Sequence, residues 1–365
     1  MKICHLTSVH KQHDVRIFVK ECSSLAKYHE THLIVVNGYN EIKNNVTIHS
    51  LEVNYSSRIK RFTKAVNEIY KKSIEINADI YHLHDPELLR IARKLKKKGK
   101  KIIYDAHEDL PRQILSKPYI NKNLIKLFSF FAEKYEKKIA KKVDAIISAT
   151  PHISKRFKLI NSNTLIINNY PLLEEIEIKK NKKTKTKNLC YIGGITKIRG
   201  LSYVIDAISQ IKEINLFLAG EFSSVKFKKE LQIKKGWEQV TELGFIARTE
   251  AQKIKTECFA GIVTFLGEEN HKNAQPNKIF EYMSSGLCVI GSNFPLWKEI
   301  IEGNQVGICV DPENPNEIIN AIRKLIENPK LVEKMSKNGI NAVKKIFNWN
   351  IEEKKLLELY NKLGV

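Results

Sequence analysis

The chain has 365 residues, 42% of them apolar and 28% charged, which excludes an intrinsically disordered protein and allows two domains of ordinary size. Its 62 basic and 40 acidic residues give a formal net charge of +22, which favours an anionic partner such as nucleic acid, phospholipid headgroups or a diphosphate-bearing lipid. Residues 1–178 hold 32 Lys or Arg against 19 Asp or Glu, although a lysine-rich genome composition explains this surplus equally well.

Short apolar, β-branched runs alternate with amphipathic segments along the whole chain. In the first half the runs are KICHLTS, HLIVVN, VTIHSLEV, DIYHLHD, KIIYDAHE, DAIISAT and TLIINN. After a lysine-rich stretch come NLCYIGG, NLFLAGE, VTELGF, AGIVTF, LCVIGS and VGICVD. Continuous apolar strands separated by helices are typical of parallel sheets covered on both faces.

Two such series predict an α/β protein with two doubly wound, Rossmann-like domains. We expect the first domain at 1–178, a basic linker (KKNKKTKTKN) at 179–188 and the second domain at 189–341. The last segment, 342–365, is predicted as a helix beyond the final strand that could return to the first domain. In such sheets ligands bind at the carboxyl ends of the strands, and two facing domains would place two sets of these loops across one cleft.

The cysteines and the apolar runs restrict the class of protein further. The six cysteines form no Cys-x-x-Cys pair and do not cluster with histidines, which argues against a zinc site and for reduced, cytosolic thiols. The opening MKICHLTS predicts a strand rather than a signal peptide. The longest largely apolar run, LIKLFSFFA, is too short to span a bilayer, so we expect a cytoplasmic protein that at most lies on a membrane.

The stretch CYIGGITKIRGL, residues 190–201, predicts a strand, a glycine-containing loop and a helix start. Gly193 and Gly194 would let the backbone approach an anion, and Arg199 could bind a phosphate through two hydrogen bonds. A tight turn with solvent-facing basic residues explains this stretch alone equally well. The motif therefore needs support from the other strand ends.

That support comes from the next strand ends of the second half. Gly220 and Glu221 follow one strand, Gly244 and Phe245 follow another, and Asn277 and Lys278 begin a helix. Glu281 is the one acidic residue in QPNKIFEYMSSGLCVIGS, residues 275–292. A diphosphate needs N–H groups and cations, and a ribose needs a carboxylate for its hydroxyls. These loops therefore predict a nucleotide pocket in which Glu281 binds the ribose.

On these motifs the second half resembles the nucleotide-sugar-binding domain of retaining glycosyltransferases of the GT-B fold, family 4. In the first half HDVRIFVKE, YHLHDPELL and YDAHEDLP resemble a bacterial surface-polysaccharide branch of that family. Glu281 matches the second Glu of the family's Glu-x7-Glu segment, whereas Asn273 occupies the position of the first Glu. Gly194 replaces an arginine that often follows the opening glycine, and Arg199 takes the place of the usual lysine.

The first half carries histidines at two neighbouring strand ends. The segments HLHDPE and DAHEDLP could suggest a metal centre, but no helical His pair and no Asp-x-Asp accompanies them, so we predict no metal. The resemblance implies that His107 lies over the donor sugar, and a structural role at a strand end is the alternative. Weaker acceptor-side candidates are Asp14, Arg16, His84, Asp85 and Glu108.

Two lysine-rich segments predict a surface for an anionic bilayer. In residues 122–141 we expect a buried stripe of Leu124, Phe128, Phe131, Tyr135 and Ile139. Phe130 should project away from that stripe, among Lys126, Lys134, Lys137 and Lys141. The pattern recurs with Arg58, Lys60, Arg61 and Lys64. No motif that reads RNA or DNA accompanies these segments, so a membrane surface is favoured over nucleic acid.

Taken with the resemblance, the residues predict a retaining, metal-independent glycosyltransferase of surface polysaccharide synthesis that needs no cofactor. It would move a sugar from a nucleoside-diphosphate sugar to a lipid-linked or saccharide acceptor at the inner face of the cytoplasmic membrane. The catalytic candidates are His107, Arg199 and Lys278, and the donor-binding candidates are Gly193, Gly194, Glu221, Gly244, Phe245, Asn273, Asn277, Glu281 and Glu299. The alternatives are a nucleotide-sugar epimerase, an inverting GT-B transferase and a basic nucleic-acid-binding α/β protein.

Overall fold

The computed structural model describes residues 1–54, 61–115, 122–176 and 187–364. The chain forms two compact units, Met1–Asn169 with Trp349–Val365, and Tyr170–Asn348. The first unit therefore ends nine residues before the predicted boundary at residue 178. Most of the predicted lysine-rich linker at 179–188 lies outside the described residues, namely its residues 179–186.

The first unit is built on an eight-stranded sheet. Its strands are β1 (Lys2–Leu6), β2 (Glu30–Val36), β3 (Glu41–Lys43), β4 (Val46–Leu51), β5 (Ile80–Leu83), β6 (Lys101–Ala106), β7 (Ala145–Ser148) and β8 (Thr164–Ile166). They lie in the order β3-β4-β2-β1-β5-β6-β7-β8, and each neighbouring pair is parallel except β3 with β4. The chain order changes direction between β1 and β5, the point at which open parallel sheets bind ligands.

The helices of the first unit cover this sheet. They are α1 (Val15–Cys22, with π-type hydrogen bonds, continued by one turn at Ser23–Leu25), α2 (Val66–Ile76), α3 (Leu89–Lys96), α4 (Leu110–Leu115), α5 (Lys122–Ala140) and α6 (Pro151–Lys158). Asp14 caps α1, because its carboxylate accepts the backbone N–H groups of Arg16 and Ile17 at 2.8 and 2.9 Å.

The last helix of the chain belongs to the first unit. It covers Trp349–Gly364, so it begins seven residues after the predicted start at residue 342. Trp349 is buried and donates its indole N–H to Ser24 Oγ at 2.9 Å. Tyr360 is fully buried, and its hydroxyl lies 2.9 Å from His82 Nδ1. These two contacts tie the end of the chain to α1 and β5.

Helix α5 packs with a different face from the one that its sequence predicts. Leu124, Phe128, Phe131 and Tyr135 are between 42% and 56% exposed, so the prediction of a buried stripe is wrong for these four residues. Phe130 is 59% exposed, as predicted. The helix thus presents six large apolar side chains to solvent: Leu124, Leu127, Phe128, Phe130, Phe131 and Tyr135.

Polar contacts explain why the opposite face of α5 turns inward. Ser129 is buried and donates to the carbonyl of Pro111 at 2.8 Å. Glu136 is fully buried and accepts hydrogen bonds from Tyr104 at 2.8 Å and from Arg156 at 2.6 Å. A charged group buried with paired partners fixes the helix rotation, which a count of apolar residues cannot reveal.

The second unit is built on six parallel strands. They are β9 (Asn188–Ile192), β10 (Asn215–Ala219), β11 (Val240–Gly244), β12 (Ala260–Val263), β13 (Cys288–Ser292) and β14 (Gly307–Val310), in the order β11-β10-β9-β12-β13-β14. The chain order changes direction between β9 and β12. The predicted doubly wound α/β architecture is therefore confirmed in both units.

The helices of the second unit follow its strands. They are α7 (Leu201–Ile208), α8 (Val225–Gln232), α9 (Arg248–Thr256), α10 (Glu269–Lys272), α11 (Asn277–Ser284), α12 (Pro295–Ile301), α13 (Pro315–Glu327) and α14 (Pro329–Lys345). The final helix of the first unit is then α15 (Trp349–Gly364). Within the described ranges, no helix is long and apolar enough to cross a membrane.

Candidate functional site

The ends of β9, β10 and β11 meet in a tightly packed group of glycines. Gly193, Gly220 and Gly244 have φ values of 139°, 136° and 65°, which side chains rarely adopt. A Cβ on Gly220 would overlap the carbonyl oxygen of Gly193, and a Cβ on Gly193 would overlap Lys278 Nζ. Glycine is therefore required here for the close approach of neighbouring loops and of the lysine.

The turn after β9 holds a second cation beside the loop after β12. Arg199 lies in a 3-10 turn, Lys197–Arg199, and its guanidinium carbon is 4.0 Å from the centre of the Phe265 ring. The backbone N–H of Leu266 donates to Ile198 O at 2.9 Å and so joins the two loops. Arg199 therefore lies where the chain order of this sheet reverses, as ligand-binding residues of such sheets do.

The two cations lack acidic partners. Within the part of the chain that the structure describes, no carboxylate lies within 4.0 Å of Arg199 or Lys278. Lys278 Nζ instead lies 5.5 Å from the centre of the Tyr191 ring. Burial lowers the pKa of both groups, and the charge of Arg199 lowers the pKa of Lys278 further, whereas Glu281 raises it. Two half-buried, mutually repelling cations are an arrangement that an anionic ligand would stabilise.

Several buried polar atoms in these loops have no hydrogen-bond partner in the described part of the chain. They are Thr196 Oγ1, Arg199 Nε, Thr264 Oγ1 and Gln275 Oε1. Thr196 and Arg199 lie on the loop after β9, and Thr264 lies on the loop directly after β12. Gln275 lies just before α11, the helix that carries Lys278. Buried polar atoms are normally paired, which indicates that a polar ligand completes this region.

The N-terminus of helix α11 lies beside the same loops. Pro276 precedes it and no side chain caps its first N–H groups, which leaves them available to an anion. Asn277 is exposed at its start, and Glu281 is exposed one turn later without an ion pair or hydrogen bond to any described side chain. The Glu281 carboxylate is therefore free of protein partners among the described residues, and its role in binding the ribose stays a prediction.

The other donor-binding candidates lie at the predicted strand and helix ends. Glu221 and Phe245 are exposed directly after β10 and β11, and Gly194 is exposed after β9. Asn273 is half-buried after α10. Glu299 is exposed on α12, and no described contact joins it to the two cations. The role of each of these residues stays a prediction.

In the first unit His107 lies in a group of titratable side chains after β6. It is half-buried, its Nδ1 is 3.7 Å from Asp105 Oδ2, and its ring packs edge-on against His10 at 5.0 Å. Sequence reasoning missed His10, which has no strand or motif to mark it. Burial lowers the pKa of His10, but Asp14 and Asp85 outweigh this and raise it.

The structure corrects three of the acceptor-side candidates. Arg16 is buried and donates two hydrogen bonds to Asp105, at 2.8 and 2.9 Å, and one to Ile167 O at 2.9 Å. His84 is fully buried, and Asp85 is almost so. These side chains cannot reach an acceptor, because they hold the unit together. Asp14 is half-buried and caps α1, and Glu108 alone of the five is exposed.

Asp85 shows why a polar strand end is not by itself a binding site. Its Oδ2 accepts the hydroxyl of Thr7 at 2.8 Å and the backbone N–H of Ser8 at 2.6 Å. Its Oδ1 lies 3.4 Å from His10 Nε2. The carboxylate thus joins the ends of β1 and β5, where the chain order of the first sheet reverses.

Two family models match the chain, one in each half. The model described as Glycosyltransferase Family 4 matches residues 9–164, and the model described as Glycosyl transferases group 1 matches residues 174–342. Together they take in nearly all of both units. The chain belongs to the glycosyltransferases.

Known proteins agree with this assignment. An uncharacterized glycosyltransferase of Methanocaldococcus jannaschii, MJ1069, is 25% identical over 288 residues, which is 75% of this glycosyltransferase and 71% of the relative. The fold is similar to that of sucrose-phosphate synthase from Thermosynechococcus elongatus, with a TM-score of 0.80, 16% identity and coverage of 99% and 98% of the two chains.

Two further solved structures share the GT-B fold. HepE of Anabaena, solved in complex with UDP-glucose, has a TM-score of 0.73 and 16% identity, with coverage of 99% of this glycosyltransferase and 100% of HepE. WaaG, a glycosyltransferase involved in lipopolysaccharide biosynthesis, has a TM-score of 0.72 and 12% identity, with coverage of 98% and 99%. The predicted GT-B fold is confirmed.

Proposed function

We propose that this glycosyltransferase takes its sugar from a nucleoside-diphosphate sugar that binds to the second unit. The pair of half-buried cations, Arg199 and Lys278, carries the proposal. Neither has an acidic partner among the described residues, both lie next to glycine-rich strand ends, and a free helix start lies beside Lys278. A diphosphate supplies the two negative charges and the acceptor oxygens that this region lacks.

In this account the two cations stabilise the leaving group. The bond between the anomeric carbon and the diphosphate oxygen breaks, and negative charge develops on that oxygen, beside Arg199 and Lys278. Glu281 holds the ribose hydroxyls. His107 contributes to the reacting centre, as the resemblance to family 4 implies.

We infer a retaining reaction, because the resemblance is to retaining enzymes and no residue is evident as a covalent nucleophile. The acceptor hydroxyl forms its bond to the anomeric carbon on the face that the diphosphate leaves. Its proton passes to the departing diphosphate oxygen. The positive charge of the two side chains replaces a divalent cation, so the reaction needs no metal.

The acceptor is proposed to be membrane-associated, with a role in surface polysaccharide synthesis. The motifs of the first half support this role, as does the fold shared with WaaG, a glycosyltransferase involved in lipopolysaccharide biosynthesis. The exposed face of α5 adds a physical reason. Six large apolar side chains lie in solvent there, flanked by the exposed Lys126, Lys134 and Lys137. Aromatic and basic side chains on one helix are typical of a surface that docks on anionic bilayers.

The structure describes little of the second predicted basic segment. Arg58 and Lys60 lie outside the described residues, and nothing is described of the Arg61 side chain. Lys64 is exposed. The docking proposal therefore rests on α5.

Vesicle co-sedimentation tests the docking. Each basic residue near an anionic surface contributes on the order of 1 kcal/mol to binding. Salt weakens this attraction, because the Debye length falls from about 10 Å at 0.1 M salt to about 3 Å at 1 M. We expect Lys126/Lys137/Lys141→Glu to lose binding to phosphatidylserine vesicles at low salt. The control Lys226/Lys229/Lys253→Glu makes the same charge change on exposed lysines of the second unit and should bind like wild type.

Apolar insertion is tested separately, because salt does not screen it. Phe128→Ser with Phe131→Ser should remove the binding that persists at high salt. Equal partitioning to neutral phosphatidylcholine vesicles, or full binding by the Lys126/Lys137/Lys141→Glu variant, would contradict the docking.

A thermal-shift screen against UDP-, GDP-, ADP- and dTDP-sugars tests the donor proposal. We expect one nucleotide series to raise the melting temperature and its sugar to be transferred to a saccharide or lipid-linked acceptor with retained anomeric configuration by NMR. Conversion of the donor sugar without transfer would indicate an epimerase, and an inverted product would overturn retention. No stabilisation by any nucleotide sugar, with DNA binding in moderate salt instead, would overturn the donor proposal.

A further inference from the structure

Four titratable side chains meet in the interior of the first unit. His5 comes from β1, His82 and His84 come from the end of β5, and Glu21 comes from α1; all four are fully buried. His5 and His82 are register partners in the parallel pair of strands. We call these four residues the His5 cluster. The sequence analysis considers His82 and His84 as part of a metal centre and predicts no metal, because His5 and Glu21 lie far from them in sequence and only the fold brings the four together.

One carboxylate oxygen lies at the centre of the His5 cluster. Glu21 Oε2 is 4.0 Å from His5 Nδ1, 3.9 Å from His82 Nδ1 and 3.9 Å from His84 Nε2. His5 Nδ1 and His84 Nε2 are 2.9 Å apart. Each residue thus presents one ligand atom to a shared point. A tetrahedral zinc ion with bonds of 2.0–2.2 Å places its ligand atoms about 3.3–3.6 Å apart. The three distances to Glu21 Oε2 are a few tenths of an ångström longer than this, so the carboxylate would move slightly inward on binding.

The carboxylate of Glu21 lacks the partners that a buried carboxylate normally has. Both of its carboxylate oxygens are buried and have no hydrogen-bond donor among the residues that the structure describes. Arg16 Nε lies 3.1 Å from Oε1, but its N–H is directed at Asp105 Oδ2 at 2.8 Å. One guanidinium therefore faces two buried carboxylates. A carboxylate buried without donors costs several kcal/mol, which a cation bound to it would offset.

Two of the three imidazoles have the outer contacts that metal ligands have, whereas His82 Nε2 is buried without a hydrogen-bond partner among the described residues. His84 Nδ1 is 3.3 Å from Asp105 Oδ2, and a proton shared there leaves Nε2 bare and aimed at the cluster. His5 Nε2 lies 3.3 Å from the hydroxyl of Tyr360, which can accept a hydrogen bond from Nε2–H and so leave Nδ1 unprotonated.

We propose that His5, Glu21, His82 and His84 bind one zinc ion that stabilises the first unit. Three histidines and one carboxylate match the ligand types and number of a tetrahedral zinc site. All four ligands are fully buried and no position is left open for substrate, so the ion is structural and takes no part in sugar transfer. It would join β1, β5 and α1, with Tyr360 of α15 against its outer side.

A metal-free arrangement is the competing explanation. The hydroxyl of Tyr360 is 2.9 Å from His82 Nδ1, so a chain of hydrogen bonds from His82 through Tyr360, His5 and His84 to Asp105 can satisfy most imidazole nitrogens. That chain of hydrogen bonds leaves both oxygens of Glu21 without a donor. The metal-free explanation therefore requires that Glu21 be protonated, and hence uncharged.

Metal analysis of untagged protein separates the two explanations. Purified wild type should carry about one zinc per chain, measured by plasma mass spectrometry after gel filtration in metal-free buffer. Glu21→Gln and His82→Gln should each lose most of it. His49→Gln is the matched control, because His49 stacks on His32 in the same unit outside the cluster, and it should keep the ion.

A second measurement uses wild type alone, in case the cluster variants fail to fold. Unfolding in guanidinium with a chromogenic chelator should release about one equivalent of zinc per chain. Protein refolded with Co²⁺ should show the visible absorption of a tetrahedral site. Folded wild type that carries no zinc, and gains none when refolded in its presence, would overturn the proposal, as would Glu21→Gln and His82→Gln variants that keep a full equivalent.

Discussion

Replacement of Lys278 by methionine separates a ligand-binding lysine from a structural one. Methionine keeps most of the length of the side chain and removes the charge. Because burial and Arg199 lower the pKa of Lys278, the charged form is disfavoured in the folded protein. A lowered lysine pKa means that the charge costs stability at neutral pH, and that stability rises as the pH rises through the folded pKa. Lys278→Met should therefore leave the melting temperature unchanged or raise it.

The same substitution should weaken donor binding substantially. Lys278 has no ion-pair partner among the residues described, so its ammonium is available to the diphosphate. A hydrogen bond to a charged group contributes about 1.5–3 kcal/mol, which corresponds to about a 10- to 150-fold change in Kd. A structural lysine would show the opposite pattern, with lower stability and an unchanged Kd.

The assay is isothermal titration with the nucleoside diphosphate that gives the largest thermal shift, at fixed salt, together with urea denaturation. Lys298→Met is the control, because Lys298 is an exposed lysine of the same unit. It should change neither quantity. A Lys278→Met protein that binds the diphosphate as tightly as wild type would refute the reasoning, whatever its stability.

Three further predictions concern other parts of the molecule. Glu281→Ala should abolish detectable donor binding with the fold intact by circular dichroism, whereas wild-type affinity for the diphosphate would show that Glu281 does not hold the ribose. Turnover in buffer freed of Mg²⁺ and Mn²⁺ should match turnover with either ion added, because Arg199 and Lys278 supply the positive charge; stimulation by either ion would contradict this. Asp14→Ala should lower the free energy of unfolding by about 1 kcal/mol at pH 7 through loss of the cap on α1. Although burial works against it, hydrogen bonds from His10 and the N–H of Ile17 lower the pKa of Asp14 to about 2, so in urea denaturation this difference should shrink as the pH falls from about 4 towards 2.

The strands were largely predictable because their apolar runs are continuous and each lies between amphipathic segments. Strand β3 was not, since its three residues carry two charges. It forms through a hairpin in which Asn44 and Asn45 adopt φ values of 51° and 60°, a turn that pairs Lys43 with Val46. Local turn geometry, rather than hydrophobic periodicity, creates this strand.

The orientation of α5 could not be predicted from periodicity. Its sequence offers one apolar stripe and one face with Ser129 and Glu136, and apolar burial alone favours the stripe. The hydrogen bonds of Glu136 with Tyr104 and Arg156 instead turn the face with Ser129 and Glu136 towards the interior. These partners lie 20 or more residues away in sequence, so no local pattern reveals them.

The donor site was more predictable than the interior of the first unit. Gly193 and Gly220 directly follow strands of the second unit, Arg199 lies on the loop after β9, and Lys278 lies at a helix start, all recognisable positions near the converging strand ends of a parallel sheet. His84 and Asp85 also follow a strand, yet their polar atoms are occupied by contacts with Asp105 and Thr7. Whether a polar strand end faces a ligand or the interior depends on partners that only the fold supplies.

Comparison of nucleoside diphosphates with their monophosphates tests the central claim most directly. If Arg199 and Lys278 bind a diphosphate, one of UDP, GDP and ADP should bind at least about tenfold more tightly than its monophosphate at the same salt concentration. The difference should disappear in Arg199→Met/Lys278→Met. Equal affinity for the diphosphate and the monophosphate, or no binding of any diphosphate to folded protein, would contradict the account.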